Sequence, residues 1–218
     1  MFAADSSHTG TNPTRTKICG LTSVADAQVA VQAGADAIGL VFYPKSPRCI
    51  TTQQAAAIAR ACGPFVTVVG LFVDASAEAV SEVLRKVPLH VLQFHGNESP
   101  AFCASFQRPF IKAIRMAEGV DVLALDAAFA DAGALGLLLD SYSPAAPGGT
   151  GETFGWERIP AGRRLPLILA GGLSPDNVVD AIARVKPYAV DVSSGVENAP
   201  GQKDSARITA FIRAAHGA

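Results

Sequence analysis

Two polar residues each close an apolar, strand-like run. Cys19 ends Thr16-Lys17-Ile18 and precedes Gly20, and Asp140 ends Gly136-Leu137-Leu138-Leu139 and precedes Ser141. A thiol that ionises is a base, and a carboxyl kept protonated by burial is an acid. Set on two sides of one small molecule, the pair suits proton transfer to and from that molecule. Each residue alone has a plainer reading, Cys19 as a small core residue and Asp140 as a cap or turn. What distinguishes them is the company they keep. Leu169-Ala170-Gly171-Gly172-Leu173 runs into Ser174-Pro175, and Asp191-Val192-Ser193-Ser194-Gly195-Val196 follows. Glycines let a backbone approach an anion and serine hydroxyls add donors, so Gly171, Gly172, Ser193, Ser194 and Gly195 are phosphate-binding candidates.

Further candidates lie at other run ends. Tyr43-Pro44-Lys45-Ser46-Pro47-Arg48-Cys49 is a loop stiffened by prolines, from which Arg48 is placed to grip a carboxylate through two donors. His95 ends Gln93-Phe94-His95-Gly96 and reads as a site wall or as a structural histidine. The cluster Pro147-Gly148-Gly149-Thr150-Gly151-Glu152-Thr153-Phe154 reads equally as a lid over the site or as a surface loop.

These residues need a scaffold that brings distant run ends together. Strand candidates are Thr16–Cys19, Ala37–Phe42, Phe65–Phe72, Val91–His95, Phe110–Arg115, Gly136–Asp140, Pro166–Ala170 and Ala189–Val192. Most are continuously apolar, as in strands covered on both faces of a parallel sheet. Ala-rich helical segments separate them. Ser23-Val24-Ala25-Asp26 has a capping-box form, Ser76-Ala77-Glu78 a weaker one, and Ser174-Pro175-Asp176 puts proline at a first helical position. Eight strand–helix units predict an α/β fold, a single (β/α)8 TIM barrel over residues 14–218, with a disordered N-terminal tail over 1–13. The competitor is an open doubly wound sheet, but that fold carries its glycine fingerprint after the first strand, whereas here the glycine-rich turns come late. In barrels, phosphate is often bound by the loops after strands seven and eight. Strands one and six then flank them, placing Cys19 and Asp140 on either side of a phosphorylated compound.

Composition narrows the partners. The formal net charge is −1, which gives no electrostatic case for nucleic acid or an acidic membrane surface. The four cysteines, Cys19, Cys49, Cys62 and Cys103, show neither CxxC pairing nor a zinc spacing, so reduced thiols in a cytoplasmic protein are expected and no metal. Residues 1–13 lack the basic and apolar regions of a secretory signal. No stretch reaches the roughly 18 apolar residues of a membrane span.

Together the motifs resemble the phosphoribosylanthranilate isomerase family of tryptophan biosynthesis. They are Lys17-Ile18-Cys19-Gly20-Leu21-Thr22, Phe42–Arg48, Val69-Gly70-Leu71-Phe72-Val73, Gln93–Gly96, Leu138-Leu139-Asp140-Ser141, Gly148–Gly151, Leu169–Leu173 and Asp191–Glu197, with Pro200-Gly201 and Lys203-Asp204 following. The resemblance implies an Amadori rearrangement, an aldose–ketose isomerisation without metal or other cofactor. It implies Cys19 as general base, Asp140 as general acid, Arg48 near the anthranilate carboxylate, Asp191 facing the sugar hydroxyls and phosphate on the two late loops. Two positions depart from the family: Glu152 stands where lysine is usual, and Gly155 where an aspartate would cap a helix. Rival readings are another phosphosugar aldose–ketose isomerase, or a non-catalytic barrel that binds a phosphorylated ligand. The sequence leaves monomer and homodimer equally open, since Phe102, Phe106 and Phe129 suit a core or an interface.

Overall fold

A computed structural model describes residues 13–141 and 154–218. Eight parallel strands close into one barrel in chain order: β1 (Arg15–Cys19), β2 (Ala37–Val41), β3 (Thr67–Phe72), β4 (Val91–Phe94), β5 (Phe110–Arg115), β6 (Leu137–Asp140), β7 (Leu167–Leu169) and β8 (Ala189–Val192). The pairing of β8 with β1, Lys17 opposite Asp191 and Ile18 opposite Val192, closes the sheet and excludes the open alternative. The third strand starts later than its apolar run suggests. Phe65 is 96% exposed ahead of Thr67, because an apolar run marks residues able to pair but not where a neighbouring strand begins.

The helices are α1 (Val24–Ala33), α2 (Thr52–Ala61), α3 (Ala77–Lys86), α4 (Pro100–Ala104), α5 (Val122–Asp131), α6 (Val178–Val185) and α7 (Ser205–His216). The sixth unit departs from the expected pattern. Among the described residues it holds only a 3-10 turn, Trp156–Arg158, whose capping position is Gly155 with no side-chain cap. Ser23 and Ser76 cap α1 and α3 as anticipated, accepting from the amides of Asp26 and Ala79. Ser23 does not form a reciprocal box, since its hydroxyl donates to Asp26 instead. The full box lies at Thr51 and Gln54, ahead of α2. Pro175 does not open α6 either: Asn177 is the capping residue, and 175–177 form a turn that returns the chain to the loop after β7.

Between β8 and α7 the chain makes a 3-10 turn, Ser194–Val196, and a small hairpin, β9 (Glu197–Ala199) with β10 (Gln202–Lys203). The tail expected over 1–13 lies outside the described residues except for Pro13, as do Gly148–Gly151 and Glu152 of the glycine cluster.

Side chains along each strand alternate between two apolar layers. Leu137, Leu139, Leu167, Leu169, Val190 and Val192 pack with the helices in the main core. Ile111, Ala113, Leu138, Ile168, Ala170 and Ala189 form a separate cluster inside the barrel. Phe94 gathers Phe102, Phe106 and Phe110 around it at centroid distances of 5.8–6.1 Å, and Phe129 is buried. Phe129 therefore belongs to the core, and Phe102 and Phe106, partly buried, pack against it.

Asp126 on α5 is buried, and its two carboxylate oxygens accept from the amides of Arg164 (2.7 Å) and Leu165 (3.0 Å), anchoring the segment that enters β7. Asp126→Ala leaves both amides without these acceptors and is expected to lower unfolding free energy by about 1–3 kcal/mol. Urea titration checks this, and an unchanged midpoint would contradict it.

Candidate active site

The period of two along each strand decides what reaches the barrel mouth. From β1 it turns Lys17 and Cys19 inward, from β4 Gln93 and His95, from β6 Asp140 and from β8 Asp191. A cavity at the C-terminal end of the strands is lined by Cys19, Arg48, His95, Asp140, Gly171, Gly172, Asp191, Ser193 and Ser194. Of the residues proposed from sequence, only Gly195 stays outside it. Gly195 presses its backbone against the Leu173 carbonyl, so it joins the two late loops to each other and leaves the lining to the serines.

Cys19 is buried. Beside it Lys17, which the sequence reading passed over, forms an ion pair with Asp191 at 2.8 Å, both side chains almost fully enclosed. Gly39 on β2 leaves the room these groups share: a Cβ there would lie 2.7 Å from Cys19 Sγ and 3.2 Å from Lys17 Nζ. Burial works against the ammonium, but the Asp191 carboxylate and the Cys19 sulfur outweigh it, and Lys17 is held protonated above the ordinary lysine value. Burial pushes the Cys19 thiol up; Lys17 pulls it down, Asp191 works against Lys17, and burial prevails.

Asp140 lies between the β4 and β7 ends. Its Oδ2 is 3.2 Å from His95 Nε2, close but outside hydrogen-bond angles. Gln93 Nε2 is 3.0 Å from His95 Nδ1 and donates to it, which puts the proton of a neutral ring on Nε2, the atom nearest Asp140. Gly171 adopts φ +83°, and a Cβ there would fall 2.8 Å from Asp140 Oδ1, so a side chain would collide with the carboxyl. Asn177 secures this loop, donating to the Gly172 carbonyl at 2.9 Å and accepting from the Ser174 amide at 2.8 Å.

Buried charges brace the other loops. Lys112 donates to Gly96 O (2.6 Å), Phe94 O (3.2 Å) and Glu98 Oε2 (3.0 Å), and Glu98 accepts from the amides of Gly96 and Asp74, holding the turn that follows His95. Arg48 was expected to grip a carboxylate through two donors, and the carboxylate it grips in this structure is that of Glu197. Its Nε and Nη2 each lie 2.7 Å from a Glu197 oxygen, because the hairpin after β8 folds back over the loop after β2. Lys203 reaches the same carboxylate at 2.8 Å and donates to the Ser193 carbonyl at 2.9 Å, while Ser193 Oγ donates to the Cys19 carbonyl at 3.0 Å. Asp191, proposed to face sugar hydroxyls, lines the cavity while paired to Lys17. Glu197 and Lys203 entered the sequence reading only as parts of the family motifs, and Asn177 not at all, since their partners are set by loop folding.

A family model described as N-(5'phosphoribosyl)anthranilate (PRA) isomerase matches residues 16–214. The chain belongs to the phosphoribosylanthranilate isomerase family. An N-(5'-phosphoribosyl)anthranilate isomerase of Cellvibrio japonicus is 58% identical over 199 residues, covering 91% of this chain and 92% of the relative. The solved phosphoribosylanthranilate isomerase of Thermotoga maritima superposes with TM-score 0.85 at 41% identity, covering 94% of this chain and all of that one. Another solved isomerase, in complex with reduced 1-(o-carboxyphenylamino)-1-deoxyribulose 5-phosphate, gives TM-score 0.78 at 37% identity over 94% of this chain and all of that one.

Two outcomes follow from the electrostatics of this family site. Alkylation of Cys19 by iodoacetamide is expected to rise at higher pH than for an ordinary thiol, and Lys17→Met to move that rise higher still; a rise left in place would refute the influence of Lys17. Burial favours neutral Glu197, but Arg48 and Lys203 outweigh it and hold its carboxyl below the ordinary 4.5. A depressed carboxyl adds stability above the unfolded-state value and loses it as pH falls through the folded-state value. The stability gap between wild type and Glu197→Gln is therefore expected to shrink below about pH 4.5. A gap constant with pH in urea titrations would contradict this.

Proposed function

We propose that residues 14–218 form one catalytic barrel that converts N-(5-phosphoribosyl)anthranilate to 1-(2-carboxyphenylamino)-1-deoxyribulose 5-phosphate, with Asp140 as general acid and Cys19 as general base. The observation that carries this reading is the single cavity shared by Cys19, Asp140 and the loops after β7 and β8. The product-analogue complex of the solved relative supports the substrate class.

Phosphate binds the backbone and hydroxyls of Gly171, Gly172, Ser193 and Ser194, with Gly195 keeping the two loops in contact. The ribose then spans from β1 to β6. Asp140 gives its proton to the ring oxygen as the bond from that oxygen to C1′ breaks, and the nitrogen lone pair forms the Schiff base. Cys19, as thiolate, takes the C2′ proton, and the bonding pair moves to form the enolamine, which tautomerises to the ketose. Asp191 faces the sugar hydroxyls, His95 borders Asp140, and Arg48 keeps its Nη1–Nη2 edge for the substrate. The raised thiol means that few Cys19 side chains are ionised at neutral pH, so kcat/KM rises as pH increases.

The reading includes a cytoplasmic enzyme acting on a small phosphorylated molecule, as a monomer or homodimer; the Thermotoga maritima relative is described as dimeric. No helix among the described residues is long and apolar enough to cross a membrane.

Loss of anthranilate fluorescence when the purified protein meets phosphoribosylanthranilate tests the activity, and no turnover at saturating substrate would overturn it. Cys19→Ser and Asp140→Asn are each expected to lower kcat by about two orders of magnitude or more while product-analogue binding persists. Near-normal kcat in either variant would refute that residue's role.

A further inference from the structure

Asp191 stands between the proposed base and the proposed acid. On one side its carboxylate pairs with Lys17 Nζ at 2.8 Å, opposite it in the β1–β8 register and on the same inward face of β1 as Cys19. Lys17 and Cys19 close on one space beside Gly39, where a Cβ would lie 2.7 Å from Sγ and 3.2 Å from Nζ. One ammonium therefore serves two groups, a carboxylate and a thiol. On its other side Asp191 meets the charges of Asp140, at the end of β6, and of His95, after β4. Cys19, His95, Asp140 and Asp191 all line the same cavity. His95 Nε2 lies 3.2 Å from Asp140 Oδ2, and neither it nor Gln93 Oε1 has a hydrogen-bond partner among the described residues. Buried polar atoms of this kind can hold a water beside Asp140. Burial favours the neutral form of Asp191 and Lys17 opposes it; with the Asp140 charge added, the carboxyl lies above its ordinary value.

The isomerisation leaves base and acid out of phase, and this step rests on the isomerase reading above. After one turnover Asp140 has lost a proton to the ring oxygen, and Cys19 has gained one from C2′. The next turnover needs the reverse, a protonated Asp140 and a thiolate at Cys19. At neutral pH solvent draws few protons from a buried, raised thiol. Ionising that thiol while Asp191 stays charged would also set two buried anions against one ammonium, which is costly. We propose that Asp191 is the proton carrier that returns the base and the acid to their starting states. As Cys19 ionises, its proton passes to a carboxylate oxygen of Asp191, and Lys17 turns from that carboxylate to the thiolate. The thiolate then takes the C2′ proton while Asp191 keeps the first one. Asp191 gives that proton, through water, to the Asp140 carboxylate left by ring opening, and pairs with Lys17 again. Every proton lost by one group is gained by another, and the four side chains end as they began. Asp191 acts through Cys19 and Asp140 and needs no contact with the reacting atoms.

The test separates the first turnover from later ones in Asp191→Asn, which keeps an oxygen for Lys17 but cannot carry a proton. Wild type must first turn over phosphoribosylanthranilate; failure at that step would count against the isomerase reading and not against Asp191. Stopped-flow loss of anthranilate fluorescence, with enzyme and substrate at comparable concentrations, reads each turnover. The variant is expected to complete its first turnover within about threefold of the wild-type rate, because Asp140 starts protonated and Lys17 can hold the thiolate. Later turnovers are expected to slow about tenfold or more, leaving a burst of one equivalent. Formate at fixed pH, a small acid able to enter the cavity, is expected to relieve the stall. A first turnover slowed as much as the later ones would make Asp191 a substrate contact. An unchanged steady rate would assign the return to solvent, and a burst that formate leaves in place would trace the stall to product release; each of these results overturns the proposal. Should Asp191→Asn fail to fold, as judged by circular dichroism, wild type carries the test: its kcat is expected to stay constant as formate is raised, and acceleration would overturn an internal return.

Discussion

Closure of the barrel between its first and last strands is the constraint on which the remaining structure depends, and one buried ion pair marks it. Lys17 and Asp191 are 174 residues apart in the chain and 2.8 Å apart in space. Removing one member of a buried pair typically costs about 3–5 kcal/mol, yet the intact pair adds little over a well-packed apolar substitute, because both charges have left water. Its value lies in registry. A slip of one residue by either strand would turn that strand's charge outward into the apolar layer beneath the helices and leave its partner unpaired. Correct closure instead gathers them at the mouth, against the cysteine.

The two ends of the barrel interior follow opposite rules. The layer formed by Ile111, Leu138, Ile168 and their neighbours is apolar and offers nothing to a substrate. The mouth is polar, and its groups are held by others behind them. Glu98 and Lys112 steady the turn after β4, Asn177 the loop after β7, and Glu197 with Lys203 the loops after β2 and β8. Buried charges of this kind are costly to desolvate and contribute geometry in return. Loops that would otherwise vary are thereby set in one arrangement around the cavity.

This environment also shapes the chemistry. A thiol surrounded by apolar Val41 and Leu71 resists ionisation, while the ammonium beside it favours the thiolate. Lys17 is itself tied to Asp191, so its field reaches Cys19 reduced by a neighbouring negative charge. Burial thus prevails at Cys19, set against two opposed charges that reach it from different strands.

Much of this was legible in the chain. Continuous apolar runs marked the strands because parallel strands are covered on both faces, and their number and spacing implied a barrel. Cys19 and Asp140 stood out because polar residues ending such runs lie at a strand's mouth, and the glycines and serines at the seventh and eighth ends marked loops that line the same cavity. The same apolarity hid the rest. When both faces of a strand are buried, composition does not show which side chains point inward, so Lys17 and Arg115 could not be told from outward residues such as Lys112. The partners of Arg48, Asp191 and His95 come from other strands and loops, brought near only when the barrel closes. Sequence alone determined the repeating units and the chemical types at their ends. Tertiary structure decided which charges meet, because those contacts are long-range and depend on register and loop path.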